Sequence, residues 1–499
     1  MNLTTYRQSG RLNDALGRSP ALRTALIGLL AVGVGVVGGA AVAFGPFWAG
    51  FAALAALALA YALLVNTNLG IAAVLLIATV LPFGTLPFKA VITPNFLTLA
   101  LLALLGVALL RILTQPDEPL ELTGLGLPLI GFLGLTLFSF LIGSNGRPDS
   151  TLLHNYVKFV LAILFFFGIA NGVRTREQAR FALRALMIGG ALAGLIGLGL
   201  YFLNDQTALR LLTSLGRIGY PTTGRVLRFV EDDPNGVERA IGLAVDPNSF
   251  GGMLALVGAL TATQVVSGKP LLPRPLLAAM AGTIILTTLL TQSRAALGGL
   301  IVATMYVATL RYRRLWWVIL GGGVLAAFLF IGLGIGDQFV QRVTEGVQFR
   351  DRANQMRLAE YRNALAVIQA YPVFGIGFGQ APTLDLVAGV SSIYLAIAQR
   401  IGLVGLAAFL GIVAAFFAQS WRALRATVRS GDEERAAWLI SLQAAVAAAL
   451  AVGLLDHYFF NIEFSHMVAL FWGTIALAMV LGRLEEPGAA DAHPLATGR

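Results

Sequence analysis

The chain has 499 residues, of which 57% are hydrophobic and only 12% are charged. A soluble protein of this length does not combine these values, so the composition indicates a polytopic integral membrane protein organised as one membrane domain. The formal net charge is +10, which we attribute to basic residues on cytoplasmic loops, and no nucleic-acid partner is expected. Cysteine is absent, which excludes disulfide bonds, thiolate metal sites and cysteine nucleophiles.

Along the chain, a polar segment is followed by apolar runs near the ~20 residues that a helix needs to cross the hydrocarbon core. Residues 1–24 are predicted to be a cytoplasmic N-terminal segment, 25–483 the membrane domain, and 484–499 a disordered cytoplasmic tail. The fold class predicted is therefore all-α, with about 12–14 transmembrane helices. The predicted spans are 25–44, 46–64, 68–84, 95–114, 124–143, 154–172, 182–203, 248–268, 275–291, 295–311, 315–335, 395–420, 436–455 and 463–482.

Basic clusters at the ends of the spans agree with one orientation. With the N-terminus inside, every cluster falls on an inside loop, as the positive-inside rule requires, and the C-terminus returns to the cytoplasm. We therefore predict a multi-pass protein of the cytoplasmic (inner) membrane with both termini in the cytoplasm. The clusters are Arg174/Arg176/Arg180, Lys269/Arg274, Arg311/Arg313/Arg314 and Arg422/Arg425/Arg429.

Two connections, 204–247 and 336–394, are too long to be hairpins, and the predicted orientation places both outside. Each carries several arginines, although translocated loops are normally poor in basic residues. These arginines are therefore expected to serve a function. The second loop is predicted to be a large, partly helical extracytoplasmic loop, with an amphipathic helix over 351–371 that ends at Tyr371-Pro372.

Residues 287–405 carry the strongest functional pattern. Thr291-Gln292-Ser293-Arg294 lies between two apolar runs, and an arginine near the bilayer centre costs about 2.5–3.5 kcal/mol on insertion scales, which makes it a functional candidate. After the amphipathic helix, Gly375, Gly377 and Gly379 allow a tight backbone that approaches its neighbours closely. Several arginines on one side of the membrane indicate a site for an anion, and the natural anion there is a lipid diphosphate.

Four segments in a fixed order resemble the O-antigen ligase / polysaccharide polymerase family of bacterial membrane glycosyltransferases, most strongly over 287–405. Tyr361 stands where that family often has tryptophan, Ser391 where it has histidine, and Arg400 where it often has glutamate. The segments are Arg239-Ala240-Ile241-Gly242 with Asp246-Pro247-Asn248, Leu290-Thr291-Gln292-Ser293-Arg294-Ala295, Arg357…Tyr361…Pro372…Gly375-Ile376-Gly377, and Ser391-Ser392-Ile393-Tyr394-Leu395…Gly402-Leu403-Val404-Gly405.

The resemblance implies an enzyme that transfers a glycan from an undecaprenyl-diphosphate carrier to an acceptor sugar, outside the cytoplasmic membrane, during assembly of cell-surface polysaccharide. It implies no metal, no nucleotide sugar and no other cofactor. Its partners would be the lipid-linked glycan donor, the glycan acceptor and membrane lipid. Two arginines and a histidine are functional in the family, and the arginines correspond to Arg294 and Arg357. The departure at Ser391 favours extracellular polysaccharide assembly over ligation to a lipopolysaccharide core.

Guanidinium groups suit this chemistry, because they stay charged and bind phosphate oxygens in a bidentate fork. Arg294 and Arg357 are the first candidates for stabilising the leaving diphosphate in a water-poor site. Arg239, Lys158 and Arg400 are further candidate anion ligands. For each of the five, the alternative is a snorkelled interfacial residue or an ion pair with a loop carboxylate.

The acceptor hydroxyl needs a general base within reach. Asp456-His457, with Glu463 and His466 nearby in sequence, marks the outer junction of the last two spans. We predict that His457 is the catalytic base that replaces the missing loop histidine, and that Asp456 and Ser391 bind substrate. Alternatively, the two histidines cap helices or bind neighbouring backbone, while a metal site from these residue types is open but not predicted.

Asp246-Pro247-Asn248 has two interpretations: a cap for the helix that begins after it or a group that positions a sugar.

Two other functions stay open for the whole chain. A lipid-linked glycan transporter agrees with the number of spans, although the charged outer loops and the absence of half-to-half symmetry disfavour it. A non-catalytic member of the same family agrees with the departures at Ser391 and Arg400.

Overall fold

The computed structural model describes residues 66–86, 95–114, 121–222, 224–328, 352–379 and 390–484. The predicted N-terminal segment, the first two predicted spans, the tail beyond residue 484 and parts of the second long loop (336–351 and 380–389) lie outside the described residues.

The described chain is almost entirely helical, which confirms the predicted fold class. A two-stranded antiparallel hairpin is the only sheet in these residues, and short 3-10 turns occupy 215–218, 230–232 and 458–460. The helices are α1 Thr67–Val80, α2 Phe96–Thr114, α3 Gly126–Gly143, α4 Ser150–Gly172, α5 Arg176–Phe202, α6 Asp205–Ser214, α7 Pro247–Val266, α8 Arg274–Leu290, α9 Arg294–Leu310, α10 Leu315–Ala327, α11 Arg352–Ala370, α12 Ile393–Arg429, α13 Glu433–Val452 and α14 Ser465–Arg483, and the strands are β1 Arg228–Phe229 and β2 Glu238–Arg239.

Within the described part of the chain, 7 helices are long and apolar enough to cross a membrane: α3, α4, α5, α7, α12, α13 and α14. Shorter apolar helices are α1, α8, α9 and stretches of α2 and α10. Every predicted span from 68–84 onward overlaps one of these helices, although residues 329–335 of the span 315–335 lie outside the described residues. The structure therefore confirms a polytopic membrane protein, because so many apolar helices require a bilayer around them.

Helices α7, α13 and α14 form the centre of the bundle and are almost completely enclosed by the others. Large side chains fill the space between them, including Trp438 and Trp472, each 1% exposed. By contrast, peripheral helix α3 leaves Leu137, Phe138 and Leu141 largely exposed. Apolar side chains on the outside and a packed centre are the arrangement that a lipid environment stabilises.

One end of the bundle is held by ion pairs at the start of α13. Its first residues meet arginines from α5 and α9: Arg176 lies 2.6 Å from Asp432, Arg180 lies 3.0 Å from Glu434, and Arg311 pairs with Glu433. Acidic residues at a helix N-terminus also interact favourably with the helix dipole. Arg274, from another of the predicted inside clusters, also lies at this end, where it donates a hydrogen bond to the Ser267 carbonyl just after α7. Residues from three of the predicted inside clusters therefore meet here.

A kink at Gly402 divides α12, because this residue has φ 76 and ψ −177 inside the helix. The segment after α11 lies along the kink. It accepts hydrogen bonds from the N–H groups that the kink frees and donates hydrogen bonds to the freed carbonyl oxygens. The hydrogen bonds run from Leu403 N to Pro372 O (2.8 Å), Val404 N to Val373 O (3.4 Å), Ile376 N to Gln399 O (2.9 Å) and Gly377 N to Arg400 O (2.9 Å).

The close approach predicted for the spaced glycines is confirmed at Gly375 and Gly377, which have φ 67 and 86. A Cβ at Gly377 would collide with the backbone of Gly143 on α3, and one at Gly375 would collide with the carbonyl groups of α12. Both glycines are therefore required by backbone conformation and by space.

Candidate active site

A cavity of about 310 Å³ opens beyond the C-terminus of α13, about 30 Å along that helix from the ion pairs at its start, at 1.5 Å per residue. Five elements meet around it: the β1–β2 hairpin, the N-terminus of α7, helix α11, the start of α12 and the loop after α13. The charged residues that line it include Arg228, Arg239, Asp246, Arg357, Glu360 and Asp456.

Asp246 shapes the cavity by capping α7. Its Oδ1 accepts hydrogen bonds from the backbone N–H groups of Asn248 (2.8 Å) and Ser249 (2.9 Å), and Pro247 occupies the first turn, where its missing N–H is harmless. Tyr458 also forms a side-chain hydrogen bond with Asp246. The structure thus supports the capping role for Asp246, and its carboxylate is already engaged by neighbouring groups.

Arg239 is anchored at the cavity by two hydrogen bonds. Its Nε donates to the carbonyl oxygen of Thr291 (2.8 Å), and its Nη2 donates to Oδ1 of Asn248 (2.6 Å). Burial lowers the pKa of the Arg239 guanidinium, while the charges of Asp246 and Asp456 oppose that shift. An arginine keeps its charge at neutral pH under such conditions, so Arg239 is a fixed positive charge in the cavity wall.

Arg357 and Asp456 meet across the cavity. Arg357 lies on α11, and its Nη2 is 3.6 Å from Oδ1 of Asp456, which follows α13. This separation gives an electrostatic attraction but exceeds hydrogen-bond length. Asp456 is only 3% exposed, and its second oxygen, Oδ2, is buried with no hydrogen-bond partner among the described residues. A buried acceptor without a partner is costly, which marks Oδ2 as a candidate contact for a substrate hydroxyl.

Burial raises the pKa of Asp456 to about 7, and the positive charge of Arg357 partly counteracts this rise. The carboxyl group therefore changes protonation state near neutral pH. A general base is most effective when its pKa lies close to the working pH, so Asp456 has the acid–base property that the predicted chemistry needs.

His457, the predicted catalytic base, also lines the cavity. Burial and the charge of Arg400 lower the pKa of His457 to about 4, so the imidazole is neutral at pH 7 and a weak base. Its Nδ1 is buried without a hydrogen-bond partner in the described part of the chain. Of the two neighbours, Asp456 is better suited to accept a proton.

Helix α11 is tied to the start of α12 beside the cavity. The Tyr361 hydroxyl lies 2.9 Å from the carbonyl oxygen of Ser391 and 3.0 Å from that of Leu454. The backbone N–H of Ser391 donates to Oε2 of Glu360 (3.0 Å). These contacts lie about one helical turn from Arg357 and hold the helix that carries it. Ser391, at the position of the missing histidine, lines the cavity.

Arg294, by contrast, is an exposed residue at the first position of α9 and is not among the residues that line the cavity. The turn before it contributes in another way, through the Thr291 carbonyl that holds Arg239. Ser293 caps α9, accepting from the Ala296 N–H at 3.4 Å. The structure brings Arg357, Arg239, Asp456, His457 and Ser391 together, and it leaves Arg294 outside their group.

Lys158 and Arg400 form a separate group near the cavity. Both are half-buried, and both interact electrostatically with Glu463. The guanidinium carbon of Arg400 lies 5.4 Å from the centre of the Phe378 ring, a cation–π distance. Neither residue lines the cavity, although the charge of Arg400 acts on His457.

His466 is a core residue, 1% exposed. It packs edge-on against Phe83, with ring centres 5.2 Å apart, and its Nε2 lies 3.5 Å from the Ser249 hydroxyl. Its contacts in the described part of the chain are with side chains of the core, so it neither caps a helix nor binds neighbouring backbone, as the structural alternative had it. Among the described residues, no group of three or more histidine, aspartate or glutamate side chains is arranged to hold a metal ion.

Backbone strain is concentrated at this end of the bundle. Glu231, Asp232, Val245 and Gln292 have φ of 58, 58, 67 and 55, a left-handed conformation that costs about 1–3 kcal/mol per residue other than glycine. Glu231 and Asp232 line the cavity themselves, while Val245 precedes the cap of α7. Such strain persists where surrounding contacts impose it, and it is often found at functional sites.

The cavity residues that sequence reasoning did not single out include Arg228 and Glu360. Arg228 was one of several arginines in a long loop, and no motif distinguished it from the others. A two-residue strand gives no periodic signal, so its pairing with Arg239 was hidden. Glu360 lies one turn from Arg357 on the predicted amphipathic helix, and this i, i+3 spacing was an available signal.

Comparison with known families finds that residues 276–410 match the family described as O-Antigen ligase. The match confirms the resemblance and includes Arg357, Ser391 and Arg400, whereas Arg239 and Asp456 lie outside it. No curated protein matches the chain. Residues 276–410 of this polytopic membrane protein are thus similar to the O-antigen ligase family, which implies glycan transfer of the ligase or polymerase type.

Proposed function

We propose that this chain, which is similar to the O-antigen ligase family over residues 276–410, transfers a glycan from an undecaprenyl-diphosphate carrier to an acceptor sugar in the cavity. The observation that carries the proposal is the meeting of Asp456, which has an unpartnered buried oxygen, with Arg357 and Arg239 around one cavity. A base and two fixed positive charges are the groups that such a transfer needs.

The arginines bind the diphosphate of the donor. When the bond between the anomeric carbon and the diphosphate oxygen breaks, negative charge grows on the leaving group. Arg239 is held in place by Thr291 and Asn248, so its charge needs no rearrangement during the reaction. Preorganised charge in a water-poor cavity is often the largest contribution to catalysis.

Asp456 accepts the proton of the acceptor hydroxyl. The hydroxyl oxygen attacks the anomeric carbon and forms the new glycosidic bond, its proton passes to Asp456 Oδ2, and the lipid diphosphate leaves with the electrons of the broken bond. This assignment moves the role of base from His457 to its neighbour. His457 remains a wall of the cavity, and its neutral imidazole is suited to hydrogen-bonding a sugar hydroxyl.

Arg294 has a reduced role in this proposal, since it lies outside the residues that line the cavity. Lys158 and Arg400 stay candidate ligands for anionic groups next to the cavity. We place the cavity on the outer side of the cytoplasmic membrane, because the basic clusters expected inside include residues at the opposite end of α13. Polymerase and ligase activities would use the same groups and differ in the acceptor.

The experiment that tests the proposal uses purified protein, an undecaprenyl-diphosphate oligosaccharide and a set of acceptor sugars, without metal or nucleotide. Released undecaprenyl diphosphate and extended glycan are both quantified. We expect the wild type to form the two products in equal amounts and Arg357→Gln to lose at least about 100-fold in rate. Arg362→Gln is the matched control, because Arg362 lies exposed on the same helix.

Equal loss in the two arginine variants would contradict a specific role for Arg357. No transfer by a folded wild-type protein with any acceptor would contradict the enzyme. In that case, movement of the lipid-linked glycan across a vesicle membrane by the same sample would favour the transporter.

A further inference from the structure

The β1–β2 hairpin places two arginines directly opposite each other. In the antiparallel register, Arg228 pairs with Arg239 and Phe229 pairs with Glu238. Residues directly opposite across such a pair point to the same side of the hairpin, and like charges in these positions destabilise it. Both arginines line the cavity that Arg357 also lines, so three guanidinium groups share one site.

The two opposed arginines differ in their partners. Arg239 is fixed by Thr291 and Asn248. The Nε of Arg228 is buried and has no hydrogen-bond partner in the ranges that the structure describes. Glu231 and Asp232 of the same hairpin line the cavity, yet no described carboxylate forms an ion pair with Arg228 within 4.0 Å. The half-buried Arg228 thus has one buried donor group, its Nε, that its protein neighbours leave unsatisfied.

The turn of the hairpin adds a second, independent observation. Its residues Glu231 and Asp232 both have φ 58, so two consecutive residues other than glycine are held in the left-handed region. Like charges on directly opposite residues, an unsatisfied donor and a strained turn all occur in one short element. An anion with two charged groups, bound between the arginines, would satisfy the donor and balance the like charges.

We propose that Arg228 is a further substrate-binding residue, and that with Arg239 and Arg357 it holds both phosphates of the lipid diphosphate. The inference rests on the proposed function and extends it to selectivity. A diphosphate offers two phosphate groups to the three guanidinium groups, whereas a monophosphate offers one. The site therefore selects lipid diphosphates over lipid monophosphates, and Arg228 is the residue that makes the distinction.

The test measures binding of undecaprenyl diphosphate and undecaprenyl monophosphate to the full chain in detergent. We expect the wild type to prefer the diphosphate by about tenfold or more, which is the contribution of one charge-assisted contact. Arg228→Gln should weaken diphosphate binding by about tenfold and leave monophosphate binding nearly unchanged. Arg228→Lys keeps the charge but loses the planar fork, so its affinity for the diphosphate should lie between those of the wild type and Arg228→Gln.

Arg217→Gln is the control, because Arg217 is exposed in the same outer segment; it should bind both lipids as the wild type does. The ligand-free protein gives a second readout. Since like charges on directly opposite residues destabilise a hairpin, Arg228→Gln should unfold at the same temperature as the wild type or higher. A lower unfolding temperature would mean that Arg228 supports the fold instead of the ligand, and would overturn the inference.

Two results separate this inference from the proposed function. If Arg228→Gln keeps the wild-type preference for diphosphate while transfer proceeds, the role of Arg228 is overturned and the glycosyltransferase stands. If the wild type shows no preference for diphosphate and transfers no glycan, both are overturned.

Discussion

A buried carboxyl group can act as a base near neutral pH only if its surroundings balance two opposing effects. Burial raises the pKa of Asp456, and Arg357, 3.6 Å away, limits the rise, so that the value lies at about 7. Without the arginine the carboxyl would stay protonated at higher pH. Without the burial it would be a weak base, because its pKa would lie near 4. At the residue scale, burial in the cavity and the charge of Arg357 together set the pKa of the Asp456 carboxyl group.

The first prediction concerns the pH dependence of this group. Since Asp456 must lose its proton to act, kcat/KM should rise with pH through about 7. Arg357 lowers the pKa of Asp456, so Arg357→Gln should move this rise to higher pH as well as reduce the rate. His457→Gln should leave the midpoint near 7, because the pKa of His457 lies at about 4. A pH-rate profile of each variant checks this. If kcat/KM of His457→Gln no longer rose with pH, the histidine would be the base.

The residues of the site were predictable to different degrees. Asp456 and His457 were both found, since two titratable groups at a junction of apolar spans stand out. Which of the two is the better base was not predictable, because a pKa depends on burial and on charges from distant parts of the chain, which a sequence does not display. Arg294 was favoured by a motif, yet its side chain lies outside the residues that line the cavity. No sequence pattern indicated Arg228, because its own strand and the strand that pairs with it are each only two residues long.

At the scale of elements, the helices were predicted well. In the described part of the chain, each apolar run from 68–84 onward forms a helix, because length and apolar composition determine this outcome in a membrane. The kink in α12 was anticipated only as a glycine-containing motif. Its cause lies in tertiary contacts, since the segment after α11 provides partners for the backbone groups that the kink frees.

The kink gives the second prediction. Gly402→Ala should destabilise the protein by several kcal/mol, because it adds a Cβ at φ 76 against the carbonyl group of Val373. Gly411→Ala is the matched control in the same helix, since its Cβ would meet nothing within 4 Å, and alanine favours a helix by about 1 kcal/mol over glycine. Thermal unfolding in detergent measures both. Equal unfolding temperatures for the two variants would contradict the described kink.

The link between α11 and α12 gives the third prediction. Tyr361→Phe removes the hydroxyl that reaches the carbonyl oxygens of Ser391 and Leu454. The loss of such a hydrogen bond costs about 0.5–1.5 kcal/mol, and it loosens the helix that carries Arg357. We expect kcat/KM to fall about threefold to tenfold while the pH midpoint stays the same.

Tyr371→Phe is the control for this variant, because Tyr371 is 44% exposed just beyond the end of the same helix. Steady-state kinetics of the two variants check the prediction. Identical kinetics would mean that the Tyr361 hydroxyl does not position Arg357.

At the scale of the whole molecule, two chemically different ends are separated by the length of α13. Ion pairs between arginines and the acidic start of α13 hold one end. The other end carries the cavity, the strained turns and the hairpin. This division agrees with a protein that faces the cytoplasm with its basic end and reacts with lipid-linked substrates at the other.

The fourth prediction tests this orientation. The chain has no cysteine, so a single introduced cysteine is the only reactive thiol. Asn235→Cys, in the exposed turn of the hairpin, should react in intact cells with a maleimide that does not cross the inner membrane. Ser430→Cys, exposed at the end of α12, should react only after the membrane is permeabilised. The reverse pattern would place the cavity in the cytoplasm and exclude the proposed outer reaction.

The fifth prediction tests the central claim, that Asp456 is the base of a glycan transfer in the cavity, most directly. The measurement is the rate at which purified Asp456→Asn transfers glycan from an undecaprenyl-diphosphate oligosaccharide, beside its binding of the same donor. The asparagine keeps the size of the side chain but cannot accept the proton, so the rate should fall by about 10²–10⁴ while donor binding is retained. A rate close to that of the wild type would show that Asp456 is not the base.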